Sequence, residues 1–245
     1  MNRAFRFLAL SPLALALASC GGGDDASTGV ELDGEPIAAI PAPDGQDWTE
    51  TVVKTDEGGF RMGNPDAPIK VLEFASLTCH VCADFSNEGA AEIKELVSSG
   101  RVSYEYRNYL RAGPDLIGTQ IMQCGNPERV IPLAEQHFAR FDEFTESFSD
   151  PRLRQIETMP PEQQKLAFAE LSGMLDFFAQ RGISRDEAAS CLADQDTATK
   201  LADQSQQWTQ EYDITGTPTI YVNGNKFEET KWSRLKQRLE AMGAR

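Results

Sequence analysis

The sequence predicts an α/β fold in which two strand-bearing blocks flank a long helical stretch. Three observations predict it. The first is a strand, a turn and a helix at Val71 to Phe85 (VLEFASLTCHVCADF): an apolar run passes through Ser76-Leu77-Thr78 into an amphipathic segment that opens on two cysteines. The second is the stretch from Ala112 to Gln210, whose apolar residues recur at helical spacing. The third is Pro218 set immediately before the apolar strand Thr219-Ile220-Tyr221-Val222, with an Asn223-Gly224 hairpin signal after it. A chain of 245 residues with 40% hydrophobic content has room for one sizeable domain or two small ones, and enough apolar side chains for a core.

The first element in order is an export signal. Arg3 and Arg6 supply a charged region, and Phe7 to Ala18 is an apolar run too short to span a bilayer. Leu17-Ala18-Ser19-Cys20 resembles a bacterial lipobox, so residues 1–19 are expected to leave as a signal peptide and Cys20 to carry lipid. The alternative is an ordinary signal peptide with a chance cysteine. Loss of residues 1–19 with their two arginines takes the formal net charge from −15 to −17. That acidic balance argues against nucleic acid, which is held by basic patches. Residues 20–47, rich in Gly, Asp, Ala and Pro without apolar periodicity, are expected to be a flexible tether reaching roughly 30 Å.

From Trp48 the chain reads as folded. Thr51 to Lys54 followed by Asp56-Glu57-Gly58-Gly59 predicts a strand or hairpin, and Gly63 to Pro68 a turn-rich entry. Ile69 to Phe74 is the first core strand. Its Glu73 is out of place there unless it has a use or a partner, or unless the strand lies at an edge and faces water. A helix follows from Cys79 to Ser99, ended by Gly100, and a second strand runs from Arg101 to Tyr109, which makes a βαβ unit with an expected right-handed connection. Within the helical stretch, Leu116 to Cys124 is helical. Asn126-Pro127 caps a helix through Phe144, and Pro161 to Arg181 forms another, ended by Gly182. Ser184 and Glu187 form a capping box for the helix carrying Cys191, and a further helix runs from Thr197 to Tyr212. After the Pro218 strand, Lys226-Phe227 starts a return strand and Lys231 to Met242 is a closing helix.

Cys79-His80-Val81-Cys82 carries the chemistry. A C-x-x-C pair serves as a redox couple, half of a zinc site or a structural clip. A strand before it and a helix after it favour the redox reading, because a helix N-terminus offers free N–H groups and partial positive charge that stabilise a thiolate. His80, between the cysteines, is a candidate to support the Cys79 thiolate. With Cys20 assigned to lipid, Cys124 and Cys191 are an even remainder in an exported chain and are expected to form a second disulfide, worth roughly 4 kcal/mol on the loop-entropy model. Two buried free thiols, or a four-cysteine zinc site, are the alternatives. His137 has no cysteine or histidine cluster around it in sequence and reads as a packing or surface residue.

These motifs, over about Met62 to Met242, resemble the thioredoxin superfamily, and specifically the DsbA-type periplasmic thiol–disulfide oxidoreductases. The resemblance implies a thioredoxin-like fold in two halves, residues 48–112 and 211–245, with an inserted helical domain over residues 113–210. It implies a cis peptide between Thr217 and Pro218, packed against the C-x-x-C, with the Thr217 backbone pairing with a substrate's extended chain. It also implies that Glu73 passes protons to and from Cys82. Some members carry an extra non-catalytic disulfide in the helical region. No metal or organic cofactor is implied. The expected partners are unfolded or thiol-containing exported proteins and a membrane redox protein, and the expected form is a monomer tethered in the bacterial periplasm through Cys20. Two residues depart from the DsbA pattern: the dipeptide is His-Val rather than Pro-His, and Thr217 stands where valine is usual. Both point towards a reductase or isomerase. Dedicated isomerases, however, carry an N-terminal dimerisation domain, for which residues 21–62 are too short and too polar. A metal chaperone using the same cysteines and a plain peptide-binding module are the non-enzymatic rivals.

Overall fold

The computed structural model describes residues 34–245. The expected signal peptide, the lipid on Cys20 and the first half of the expected tether, residues 20–33, lie outside the described residues. The fold is built on a six-stranded sheet in the order β1-β2-β4-β3-β5-β6, formed by β1 (Val52–Lys54), β2 (Phe60–Met62), β3 (Ile69–Ala75), β4 (Val102–Asn108), β5 (Thr219–Val222) and β6 (Asn225–Phe227). Only β3 and β4 run parallel; they are joined by α1 (His80–Ser98). The other pairings are antiparallel. β3 is paired on both edges, by β4 and β5, and packed on both faces, with Val71 in one core and Phe74 in the other, which accounts for its nearly continuous apolar sequence.

Alternation along the strands sends two sets of side chains to two cores. One face, with Val71, Tyr104, Tyr106 and Ile220, packs on α1 and on the closing helix α10 (Trp232–Ala241), where Phe85 meets Trp232 edge to face at 6.0 Å. The other face carries Phe74, covered by Trp208, Tyr212 and Ile214 at the end of α9 (Gln195–Glu211). Buried Arg107 lies among those rings, 5.2–5.4 Å from the centroids of Phe74, Trp208 and Tyr212, with its charge met by Glu105 at 2.6 Å.

Between the two halves of the sheet lie α2 (Gly113–Met122), α3 (Val130–Phe138), α4 (Phe141–Ser147), α5 (Leu153–Ile156), α6 (Pro161–Leu171), α7 (Met174–Ala179) and α8 (Arg185–Ala193). Their apolar residues, including Ile121, Phe138, Phe177 and Leu192, join one continuous core with the α1 face of the sheet. A disulfide joins Cys124 to Cys191 across 67 residues, with Cα atoms 6.0 Å apart.

Two expected long helices are each broken. The helix expected through Phe144 begins as a 3₁₀ turn and is interrupted at Ala139 and Arg140, which lets Phe138 and Phe144 both turn inward. The helix expected over Pro161 to Arg181 is divided at Gly173, whose φ of +76° is left-handed and open to glycine at little cost.

Residues 34–47, expected to continue the tether, instead lie along the folded surface as a strap. Amides of Gly34, Ile37 and Ile40 donate to the carbonyls of Ala241, Gly243 and Ser99 at 2.8–2.9 Å, and the Arg101 guanidinium donates to Ile37 O at 2.6 Å. Composition misled here, because these contacts are made by backbone groups and need no apolar periodicity. Gly100 admits the strap: its φ is +73°, and a Cβ there would collide with the Ile40 carbonyl. No helix among the described residues is long and apolar enough to cross a membrane.

Candidate active site

The site forms where β3 ends, α1 begins and the loop before β5 returns. The turn Ser76–Thr78 leaves the sheet and delivers Cys79 as the N-cap of α1, with extended backbone at φ −103° and ψ 114°. In that position a side chain normally accepts a bond from the free amides of the first turn. Here the acceptor is sulfur: the Cys82 amide donates to Cys79 Sγ at 3.4 Å. The thiolate therefore occupies the place of a capping anion, where free N–H groups and the helix dipole favour negative charge.

The two cysteines are unbonded and have opposite acidities. The Cys79 thiol is lowered from 9.0 to about 5, first by the hydrogen bond from the Cys82 side chain and further by Thr217, the Cys82 amide and the charge of Arg111, against the opposing effect of burial. Cys82 is pushed well above 9.0, chiefly by burial. Cys79 keeps 3% of its surface and Cys82 none, so Cys79 is the sulfur an incoming chain meets.

The Thr217–Pro218 peptide is cis and faces the cysteines, with Cys79 Sγ 3.1 Å from the Thr217 carbonyl oxygen. A thiol can donate to that carbonyl; a thiolate cannot. The buried Thr217 hydroxyl has no other partner and is the group that can serve the charged form.

Glu73 lies beneath the pair in the middle of the sheet, only 2% exposed. Burial raises it from 4.5 to about 7, opposed by a hydrogen bond from the Tyr104 hydroxyl at 2.5 Å and reinforced by the Cys79 charge. Tyr104 is held well above 10.0, mainly by burial, and stays a donor. The negative charge of Glu73 also helps keep Cys82 protonated. The edge-strand alternative for Glu73 does not apply.

His80 occupies the first helical position and is exposed to solvent, with no hydrogen bond to Cys79. His137 is fully buried. Its ring stacks on Phe144 at 4.2 Å and its Nε2 lies 3.1 Å from the Leu77 carbonyl, while burial pushes it down to about 4. It is thus a neutral donor to the turn before Cys79. Cys124 and Cys191 lie in the helical region and are bonded to each other, not to the C-x-x-C.

Sequence reasoning missed Asp115. This fully buried carboxylate accepts bonds from Ser76 Oγ (2.8 Å), Thr78 N (3.0 Å), Thr78 Oγ1 (3.0 Å), Arg111 N (2.9 Å) and Ala112 N (2.9 Å). It ties the cysteine-bearing turn to the start of α2. The available signal was Gly113-Pro114-Asp115, a proline and then an acid at the third helical position; placing the helix start at Leu116 concealed it.

Comparison with known proteins agrees with this architecture. A family model described as thioredoxin matches residues 55–241. The chain is 24% identical over 181 residues to disulfide bond formation protein D of Bacillus subtilis (strain 168), a match covering 73% of this chain and 74% of that protein. A protein-disulfide isomerase from Novosphingobium aromaticivorans superposes with a TM-score of 0.69 at 27% identity, covering 74% of this chain and 95% of that one. Wolbachia pipientis alpha-DsbA1 superposes with a TM-score of 0.61 at 18% identity over 75% of this chain and 89% of that one, a likeness of fold.

Proposed function

The chain belongs to the thioredoxin family and is a DsbA-like thiol–disulfide oxidoreductase, and from that premise we propose that it forms disulfides in exported proteins of the cell envelope through Cys79 and Cys82. The observation that carries the reading is the pairing of an acidified Cys79 at the tip of α1 with a buried, strongly protonated Cys82 one turn on.

In the oxidising direction a substrate thiolate attacks Cys79 Sγ of the Cys79–Cys82 disulfide. A substrate–Cys79 disulfide forms and Cys82 leaves, taking a proton from Glu73 as it does so. A second substrate thiolate then attacks the substrate sulfur and expels Cys79 as a thiolate. Two electrons have passed from substrate to enzyme. The lowered pKa of Cys79 makes it the better leaving group in the second step, which favours oxidation of substrate. The Thr217 backbone, beside Cys79 Sγ, is the natural partner for a substrate strand. Reoxidation falls to a membrane redox protein, and Cys20 holds the enzyme in the periplasm through lipid, as a monomer.

Cys82→Ser enzyme, added to envelope extracts, should accumulate mixed disulfides on Cys79; an empty trap would contradict protein substrates. The second reading is a reductase or isomerase, favoured by Thr217 and by the likeness to the Novosphingobium isomerase. Equilibration with glutathione separates the two, since a strongly reducing potential would rule out the oxidase.

A further inference from the structure

The face of the sheet turned away from α1 is only partly roofed. The end of α9 brings Trp208 and Tyr212 over Phe74. One row further from the redox turn, the strand register lines up Arg61 of β2, Glu105 of β4, Leu72 of β3 and Tyr221 of β5 across the same face. Lys70 and Ser103 form the row after that. Over these side chains, and bounded by Tyr212, lies a groove of about 250 Å³. Its wall takes nothing from the redox turn, α1 or the Thr217 loop.

Two arginines stand on this face, and only one is satisfied. Arg107 Nε donates to Glu105 at 2.6 Å and its Nη1 to the Tyr212 hydroxyl at 3.0 Å. Glu105, the neighbour of Arg61 in the register, is thus taken by Arg107 and by the Thr55 hydroxyl at 3.1 Å, and Arg61 Nε is buried with no acceptor. Buried donors are nearly always paired, so an orphan points to a missing acceptor. Lys70, exposed at the same groove, has no ion pair among the described residues. In a chain with 38 acidic and 23 basic residues, two cations without a carboxylate partner at one groove are not what composition predicts. Ser103, beside Lys70 in the register, adds a hydroxyl to the wall. The opposite side of the groove is apolar. There Leu72 meets the rings of Tyr212 and Tyr221, which lie edge to face at 5.4 Å. Both tyrosine hydroxyls are already bonded, to Arg107 and to the Tyr212 carbonyl, so the rings are what they offer.

We propose that this groove binds a small aromatic carboxylate free in solution, with its acid group on Arg61 and Lys70 and its ring on Leu72, Tyr212 and Tyr221. The guanidinium fork suits a carboxylate, and Lys70 adds a point charge beside it. A cavity of about 150 Å³ admits benzene, so this groove has room for a ring together with its acid group. An inorganic anion would leave the apolar side uncovered, and an uncharged ring would leave Arg61 without its acceptor. The occupant lies across the sheet from α1 and touches neither sulfur, so the site does not depend on the redox reading.

The test titrates the full chain with naphthalene-2-carboxylate, followed by calorimetry and by the amide NMR shifts of β2, β3 and β5. Naphthalene-2-carboxamide and inorganic phosphate are titrated alongside. The carboxylate should bind saturably at or below about 1 mM and shift those strands, with the amide and phosphate each weaker by about tenfold or more. Arg61→Gln and Lys70→Gln should each weaken the carboxylate by about tenfold. The rate of Cys79 alkylation should stay at the wild-type value in both, which also reports that they are folded. Lys70 is a surface residue, so its variant keeps the proposal open to refutation should Arg61→Gln fail to fold. No saturable binding below about 10 mM, wild-type affinity in either folded variant, shifts confined to another surface, or phosphate binding as tightly as the carboxylate would each overturn the site. None of these results would touch the redox reading.

Discussion

Cys79 and Glu73 are two acids whose surroundings move them in opposite directions, and each makes a separate prediction. Cys79 is held at about 5 against an ordinary 9.0, so its thiolate form stabilises the reduced fold. A depressed acid contributes fully above its unfolded value and loses that contribution as pH falls through the folded one. Relative to a Cys79→Ala variant, the reduced protein should therefore gain stability as pH rises from 5 to 9 and then level off. Glu73, raised from 4.5 to about 7, has the opposite sign: burying its charge costs stability, fully so above pH 7 and not at all below 4.5. Glu73→Gln should match wild type near pH 4 and exceed it at pH 8 by on the order of 3 kcal/mol in urea unfolding. A flat difference across that range would contradict the assignment. Asp115 presents the converse case, a buried carboxylate fully used by five donors. Asp115→Ala strands those donors and should cost about 3 kcal/mol or more, with slower alkylation of Cys79 as its turn loosens. The cysteines and Pro218 were legible because each stands in a local motif. Tyr104 and Asp115 were not, because each acts on a partner brought near only by the sheet register or by the start of α2.

At the scale of elements, the strands and the C-x-x-C helix follow from local pattern, while the helical region follows it only in outline. Apolar spacing indicates helix, but it does not show where a helix must bend so that Phe138 and Phe144 can both be buried, nor that Gly173 divides one helix into two. The strap over residues 34–47 is the clearest case. Its low-complexity sequence carries no amphipathic signal, and its hold on the domain comes from main-chain bonds to Ala241, Gly243 and Ser99, the Arg101 guanidinium on the Ile37 carbonyl and the packing of Ile37 on the core. A chain starting at Trp48 should consequently unfold about 2 kcal/mol more easily than one starting at Gly34, a modest net for several hydrogen bonds offset by the entropy of ordering the strap. Equal stability of the two in urea would show that the strap only rests on the surface.

Over the whole molecule, the sheet and the helical region share one core, and the helical region grips the redox turn at two points: Asp115 through Ser76 and Thr78, and His137 through the Leu77 carbonyl. The geometry of the sulfurs thus depends on both parts of the fold. The most direct measurement is a redox titration of the full chain in glutathione buffers, quenched by acid, with each cysteine identified by mass spectrometry. The account predicts that Cys79 and Cys82 oxidise together as a single two-electron couple, distinct from Cys124–Cys191. If both remained thiols across the titration, or if Cys79 stopped at a glutathione adduct that Cys82 never resolved, the account would be contradicted.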